Sequence, residues 1–172
     1  CPPTPGCLLK RPYDCHPLIS HGSILSRSLT KICTRAPLKN QGVFDDWIEL
    51  TNNGASAVDL SGWHLTDTAG SPAKWTFPAG ASIPANGQLV VFAANTPAAP
   101  SIVNGEYRAN NFALSAGGEY LGLTRPDSTV VSEYAPTFPA QTTNVSYGID
   151  VNGSIGFFST PTPGAPNGVG DS

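Results

Sequence analysis

In residues 44–94 the chain reads FDDWIELTNNGASAVDLSGWHLTD and then KWTFPAGASIPANGQLVVFAA, and in each run apolar side chains alternate with small polar ones. The runs end in Asn-Gly, Pro-Ala-Gly or Pro-Ala-Asn-Gly. A period of two puts alternate residues on opposite faces of a strand, and this punctuation supplies the tight turns between short strands. The pattern therefore predicts half-buried β-strands.

Strands are expected at residues 46–52, 57–60 continuing into 63–66, 74–77, 88–93, 119–124, 129–134 and 144–149. Asn53-Gly54, Ala69-Gly70, Asn86-Gly87, Gly117-Gly118 and Asn152-Gly153 stand between them as residues that tolerate positive φ. Pro78, Pro84 and Pro126 also fall between runs, as hydrogen-bonded strands require. Gly and Pro supply 18 and 17 of the 172 residues and only 12% are charged, which suits a turn-rich all-β domain better than a helical one. Six to eight short strands over this length predict an immunoglobulin-like β-sandwich.

The net charge of −3 conceals two unlike parts. Residues 1–40 hold six Lys/Arg against one acid, and residues 41–172 hold three against eleven. An acidic body repels a phosphate backbone, so nucleic acid is not an expected partner of the sandwich. All four cysteines, Cys1, Cys7, Cys15 and Cys33, lie in the basic part, and sequence leaves their three possible pairings open. Their spacing matches no common zinc finger, although His16 and His21 stand nearby, so no metal or cofactor is expected. No apolar run is long enough for a membrane span, and no signal peptide is recognisable. The chain opens on Cys1, not Met, which reads as a fragment or a processed product.

Three divisions follow: an irregular, basic, Cys-containing segment at 1–42, a sandwich at 43–160 and a Pro/Gly-rich tail or linker at 161–172. Within the first, Leu25, Leu29 and Ile32 stand at helical spacing behind Ser23, which admits a short amphipathic helix. Residues 1–37 are expected to pack poorly. The competing expectation is that residues 23–35 donate a strand or helix that covers an open sheet edge. Residues 94–111 form an unusually long connector, and residues 159–167, STPTPGAPN, should extend like a spacer.

DWIEL at 46–50, VDLSGW at 58–63, WTFPAG at 75–80, IPANGQLVVFA at 83–93, NFALSAGGEYLGL at 111–123 and STPTPGAPN at 159–167 together resemble the lamin tail domain in its bacterial, secreted form. The resemblance covers about residues 44–167 and implies an immunoglobulin-like fold without catalysis. Bacterial members sit in large exported proteins beside enzymes or adhesive repeats, and animal members form the tail of nuclear lamins and bind proteins and DNA. The DNA role is not carried over, because the acidic body lacks a basic surface. Upstream of Leu38 the chain departs from the acidic motif that usually opens the bacterial domain, so residues 1–37 read as foreign to the family.

Trp63 and Trp75 are expected in the core, because Leu65 and Phe77 follow two residues later on the same face. Trp47 shares with them the alternative of an aromatic platform for a ligand. Asp45, Asp46 and Glu49 read as a solvated strand edge and not a cation site, with Glu49 facing away from Asp46. His64 should point to solvent. No nucleophile elbow or phosphate loop occurs, so no catalytic residue is assigned. Asn144 and Asn152 begin glycosylation sequons that matter only in a secretory eukaryotic host. Ligand contact is expected on the long connector at Tyr107, Arg108, Asn110 and Asn111, which pair an amphipathic ring with a donor fork and two amides.

The functional expectation is a non-catalytic attachment or spacer module of an exported multidomain bacterial protein, extracellular or at the cell surface, monomeric when isolated. Its partner would be a protein or a surface polysaccharide. The alternatives are an accessory domain of a secreted enzyme, and a structural domain that assembles through its sheet edges.

Overall fold

The computed structural model describes residues 27–33, 39–40, 43–98, 100–103 and 105–171. Among them every regular element is a strand. In chain order these are β1 (Arg27–Cys33), β2 (Lys39–Asn40), β3 (Val43–Phe44), β4 (Asp46–Asn52), β5 (Val58–Asp59), β6 (His64–Thr66), β7 (Trp75–Thr76), β8 (Ser82–Ile83), β9 (Gly87–Ala93), β10 (Ile102–Val103), β11 (Glu106–Ala109), β12 (Leu121–Thr124), β13 (Val130–Tyr134), β14 (Ser146–Ile149) and β15 (Ile155–Phe158). A seven-stranded sheet in the order β10-β11-β9-β4-β1-β14-β15 faces a four-stranded sheet in the order β13-β12-β6-β7. Two short ribbons, β2-β3 and β5-β8, complete the set. The arrangement is the immunoglobulin-like sandwich expected from the alternation.

The core lies between the two sheets. Ile32, Ile48, Leu50 and Val91 from the large sheet meet Leu65, Trp75, Leu121 and Leu123 from the small one, and all eight are buried. Each such side chain contributes about 1.5–3 kcal/mol on leaving water. Trp63 is buried, and Trp75 meets Phe77 edge to face with ring centroids 4.6 Å apart, so both tryptophans occupy the core as their spacing predicted. The connectors add Phe77, Phe112, Leu114 and Phe138 to the same core. Gly118, at φ +90, lets one connector pass close to another, because a Cβ there would stand 2.2 Å from the Phe138 carbonyl oxygen.

Residues 27–33 correct the expectation of an irregular or helical N-terminal part. They form a strand inside the large sheet, bonded to β4 on one side and β14 on the other. The register explains the misleading spacing. Between Leu29 and Lys31 the pairing shifts, so Leu29 and Ile32, three residues apart, stand opposite Leu50 and Ile48, two residues apart. A β-bulge of this kind converts a strand's period of two into a local step of three, which mimics a helix. Residues 1–26 and 34–38, with Cys1, Cys7 and Cys15, lie outside the described residues, so the pairing of those cysteines and the packing of that segment do too.

Residues 94–111 are likewise not a bare loop. They contain β10 and β11, and β11 lies parallel to β9, with Tyr107, Arg108 and Ala109 opposite Val91, Phe92 and Ala93. The chain crosses over and adds two strands to the edge of the large sheet.

Candidate functional site

β4 occupies the middle of the large sheet, so its two faces have different surroundings. Its even-numbered residues face the core, and its odd-numbered residues face the outer side. On the outer side one rung of paired residues crosses the sheet, Phe158–Ser146–Cys33–Trp47–Phe92–Arg108, and all six are buried. Trp47, Cys33 and Phe92 form a second, smaller apolar cluster there. Cys33 donates its thiol hydrogen to the Val145 carbonyl at 3.4 Å.

Glu49 lies on this outer face, opposite to Asp46 as expected, but it is only 1% exposed. The expectation of a solvated strand edge is therefore corrected for Glu49. A strand with neighbours on both sides has no edge, and a buried carboxylate needs donors. The backbone N–H of Gly164 supplies one to Glu49 Oε2 at 2.7 Å. Asp46 accepts from the backbone N–H of Leu114 at 3.0 Å, and Asp45 pairs with Arg108 Nη2 at 3.5 Å. The three acids serve three separate structural contacts.

The same bonds correct the expectation of an extended spacer at 159–167. Gly164 is tied to Glu49, the Asn167 amide donates to the Ile149 carbonyl, and Asp171 bridges to Phe157 on β15. The C-terminal run folds back as a strap on the large sheet, where its Gly164 N–H meets the buried Glu49 and its Asn167 side chain meets the Ile149 carbonyl.

The four connector residues do not converge. Tyr107 is half-buried and turns inward, its ring 6.1 Å from that of Phe77. Arg108, one residue on, points outward and is 9% exposed, committed to Asp45. Asn111 is exposed and donates to the Lys74 carbonyl, while Asn110 is half-buried. Successive residues of a strand lie on opposite faces, so β11 separates what a loop would have gathered.

His64 is half-buried, and its Nδ1 shares a 2.8 Å hydrogen bond with Thr76 Oγ1 on the neighbouring strand, at the solvent side. At one end of the sandwich Glu119 Oε1 accepts from the Ser115 N–H, with Asp67, Lys74 and Asp46 near by. Burial pushes its carboxyl above the ordinary value, the Ser115 bond opposing. Tyr120, desolvated and donating to Glu133 Oε2, is pushed up to about 12. Among the described residues no group of three or more His, Cys, Asp or Glu is placed to hold a metal ion, and no helix is long and apolar enough to cross a membrane.

Sequence reasoning missed a cleft of about 310 Å³ where β4 ends, β9 begins and β14 ends, bordered by the strap. Among the described residues Thr51, Asn53, Asn86, Gln88, Asp150 and Asn167 give it polar walls, and Ile149, Val151 and Pro166 add apolar ones. The available signal was the Asn-rich punctuation itself: two of the turns that joined strands in the sequence, 53–54 and 86–87, meet in space.

Sheet order, strap and core together describe a small immunoglobulin-like domain whose buried polar groups serve its architecture. Residues 29–137 match the family described as the lamin tail domain, and the chain belongs to that family, a non-enzymatic immunoglobulin-like fold. The match begins inside β1, so residues 29–37 are family sequence and not foreign to it. No curated protein matches the chain.

Proposed function

We propose that this domain is a non-catalytic attachment or spacing module of an exported bacterial multidomain protein, working outside the cell or on its surface. The observation that carries this reading is where the chemistry-bearing side chains are used. Glu49, Asp46, the Asp45–Arg108 pair and Asn52 each hold one part of the fold to another. What remains for function is a rigid scaffold with surface at its strand ends. The family resemblance to secreted bacterial domains supports the location, and the acidic body argues for a protein or a polysaccharide partner over nucleic acid.

The isolated domain is monomeric in this reading. β10, at one edge of the large sheet, has only two residues, and β15, at the other, is bridged by Asp171. Short or covered edges oppose strand addition by a second copy. The test is retention of the purified chain on cell-envelope material of exporting bacteria, alongside assays against phosphoester, glycoside, ester and peptide substrates. Saturable retention with background hydrolysis is expected. Turnover abolished by substitution of a carboxylate in the domain overturns the non-catalytic reading, and absence of retention overturns attachment in favour of spacing alone.

A further inference from the structure

The cleft beside the strap gives the attachment reading a place and a ligand class. We infer that it is a binding site for a neutral sugar ring, an inference that rests on the attachment role proposed above.

The chemistry comes from three carboxamides. Asn53, Asn86 and Gln88 line the cleft, and among the described residues none of their side chains is hydrogen-bonded within the protein. Each carboxamide carries two donors and an acceptor, so it can bracket adjacent hydroxyls, which also both donate and accept. Beside them Asp150 accepts the backbone N–H groups of Ser154 and Asn152, and these bonds hold its carboxyl below the ordinary value. Its charge persists through the neutral and mildly acidic range, and no lysine or arginine is among the described lining residues. A neutral ligand avoids the repulsion that this carboxylate exerts on a phosphate, sulfate or carboxylate. Ile149 and Pro166 offer apolar surface for the C–H face of a ring. At about 310 Å³ the cleft stands at the small end of ligand pockets, enough for a ring or two and not for a long chain.

The backbone that presents the amides is held in place before any ligand arrives. Asn52, fully buried at the end of β4, donates to the carbonyls of Ser56 and Pro84 at 2.9 and 2.8 Å, and its Oδ1 accepts the Gly54 N–H at 3.0 Å. The Asn86 N–H in turn donates to the Gly54 carbonyl at 3.1 Å. One side chain thus staples together the two turns that present Asn53 and Asn86. Gln88 is set by the ladder of β9 opposite Thr51. A fixed backbone leaves only the side-chain rotamers to be ordered on binding.

A peptide fits the site less well. Peptides added as strands need an unpaired strand edge. Here β4, the strand that carries Thr51 into the cleft, is bonded to β9 along Asp46–Asn52 and to β1 on its other side, so it offers no free ladder.

The test uses the full chain labelled with ¹⁵N and titrated with glucose, galactose, mannose and N-acetylglucosamine. At least one sugar is expected to shift the side-chain amide signals of Asn53, Asn86 and Gln88, with a dissociation constant in the millimolar range. Gln88→Ala and Asn53→Ala should each weaken that binding about fivefold, the loss of roughly one hydrogen bond, without changing Tm, and Asn111→Ala should leave it intact. No shift with any of the four sugars, shifts undiminished in Gln88→Ala, or cleft shifts produced only by short peptides each overturn the inference. The two readings fail separately: envelope retention unchanged in Gln88→Ala sinks the sugar site and keeps attachment, whereas sugar binding without envelope retention sinks attachment alone.

Discussion

The two faces of the large sheet are built from the same strands by different means. Inward, Ile48 and Leu50 on β4 meet a second sheet and are enclosed by hydrocarbon. Outward, Trp47 and Glu49 on the same strand have no second sheet, and Glu49 is closed over by the strap through Gly164. The inner face is held by non-directional burial and tolerates many side chains of suitable size. The outer face depends on a few directional bonds, each made with one particular group. The difference teaches which half of the molecule depends on composition and which on exact partners.

Removing β1 should have the largest effect, since that strand serves both faces through Ile32 and Cys33. A chain starting at residue 34 is expected to lose cooperative unfolding in urea, monitored by tryptophan fluorescence. A chain so truncated that still unfolds cooperatively would show that β4 and β14 can pair without it.

Next in size is the inner face alone. Leu50→Ala should cost about 2–5 kcal/mol, the range for a buried leucine whose cavity only partly collapses. Its strap should stay closed, read as unchanged hydrogen exchange at Gly164 relative to global stability.

The outer face should respond more weakly and more locally. Glu49→Ala removes the buried acceptor of the Gly164 N–H and is expected to cost about 1–3 kcal/mol. Cleavage by an added protease should then appear within residues 159–171 well before global unfolding. If Glu49→Ala and Leu50→Ala proved alike in both readouts, the division between the faces would fail.

The smallest effect is electrostatic. Glu119 has a folded-state carboxyl raised above 4.5, chiefly by burial, so the folded protein holds that proton more tightly than the unfolded chain. Its favourable contribution is complete below the unfolded value and is lost as pH rises through the folded one. Partial exposure keeps the effect small. Glu119→Gln should flatten the stability–pH curve slightly in that window, and a carbon-detected NMR titration should place the Glu119 midpoint above that of an exposed glutamate. A midpoint at or below the exposed value would contradict the burial described here.

The β4, β9, β12 and β13 strands were legible because each carries its alternation in one uninterrupted run between turn residues. β1 was not, because a bulge turned its period into a helical one and one of its two partners, β14, is distant in sequence. β15, IGFF, is short and includes Gly156, and only its pairing with β14 makes it a strand. Tyr107 and Arg108 combine an amphipathic ring with a donor fork in the sequence, but β11 turns them to opposite faces and Asp45 takes up Arg108. The cleft was illegible because its amides come from turns more than thirty residues apart, joined by Asn52.

The sequence by itself determined the class of fold, the tryptophans of the inner core and the family, since all three are written in local periodicity and ordered motifs. Tertiary structure alone decided that residues 27–33 are an interior strand, that the proline-rich end is a strap, and which polar side chains are structural and which line a cleft. The physical reason is range: alternation and turn chemistry act between near neighbours, whereas a buried carboxylate or a strand's unpaired N–H groups are satisfied by whichever distant segment the fold brings beside them.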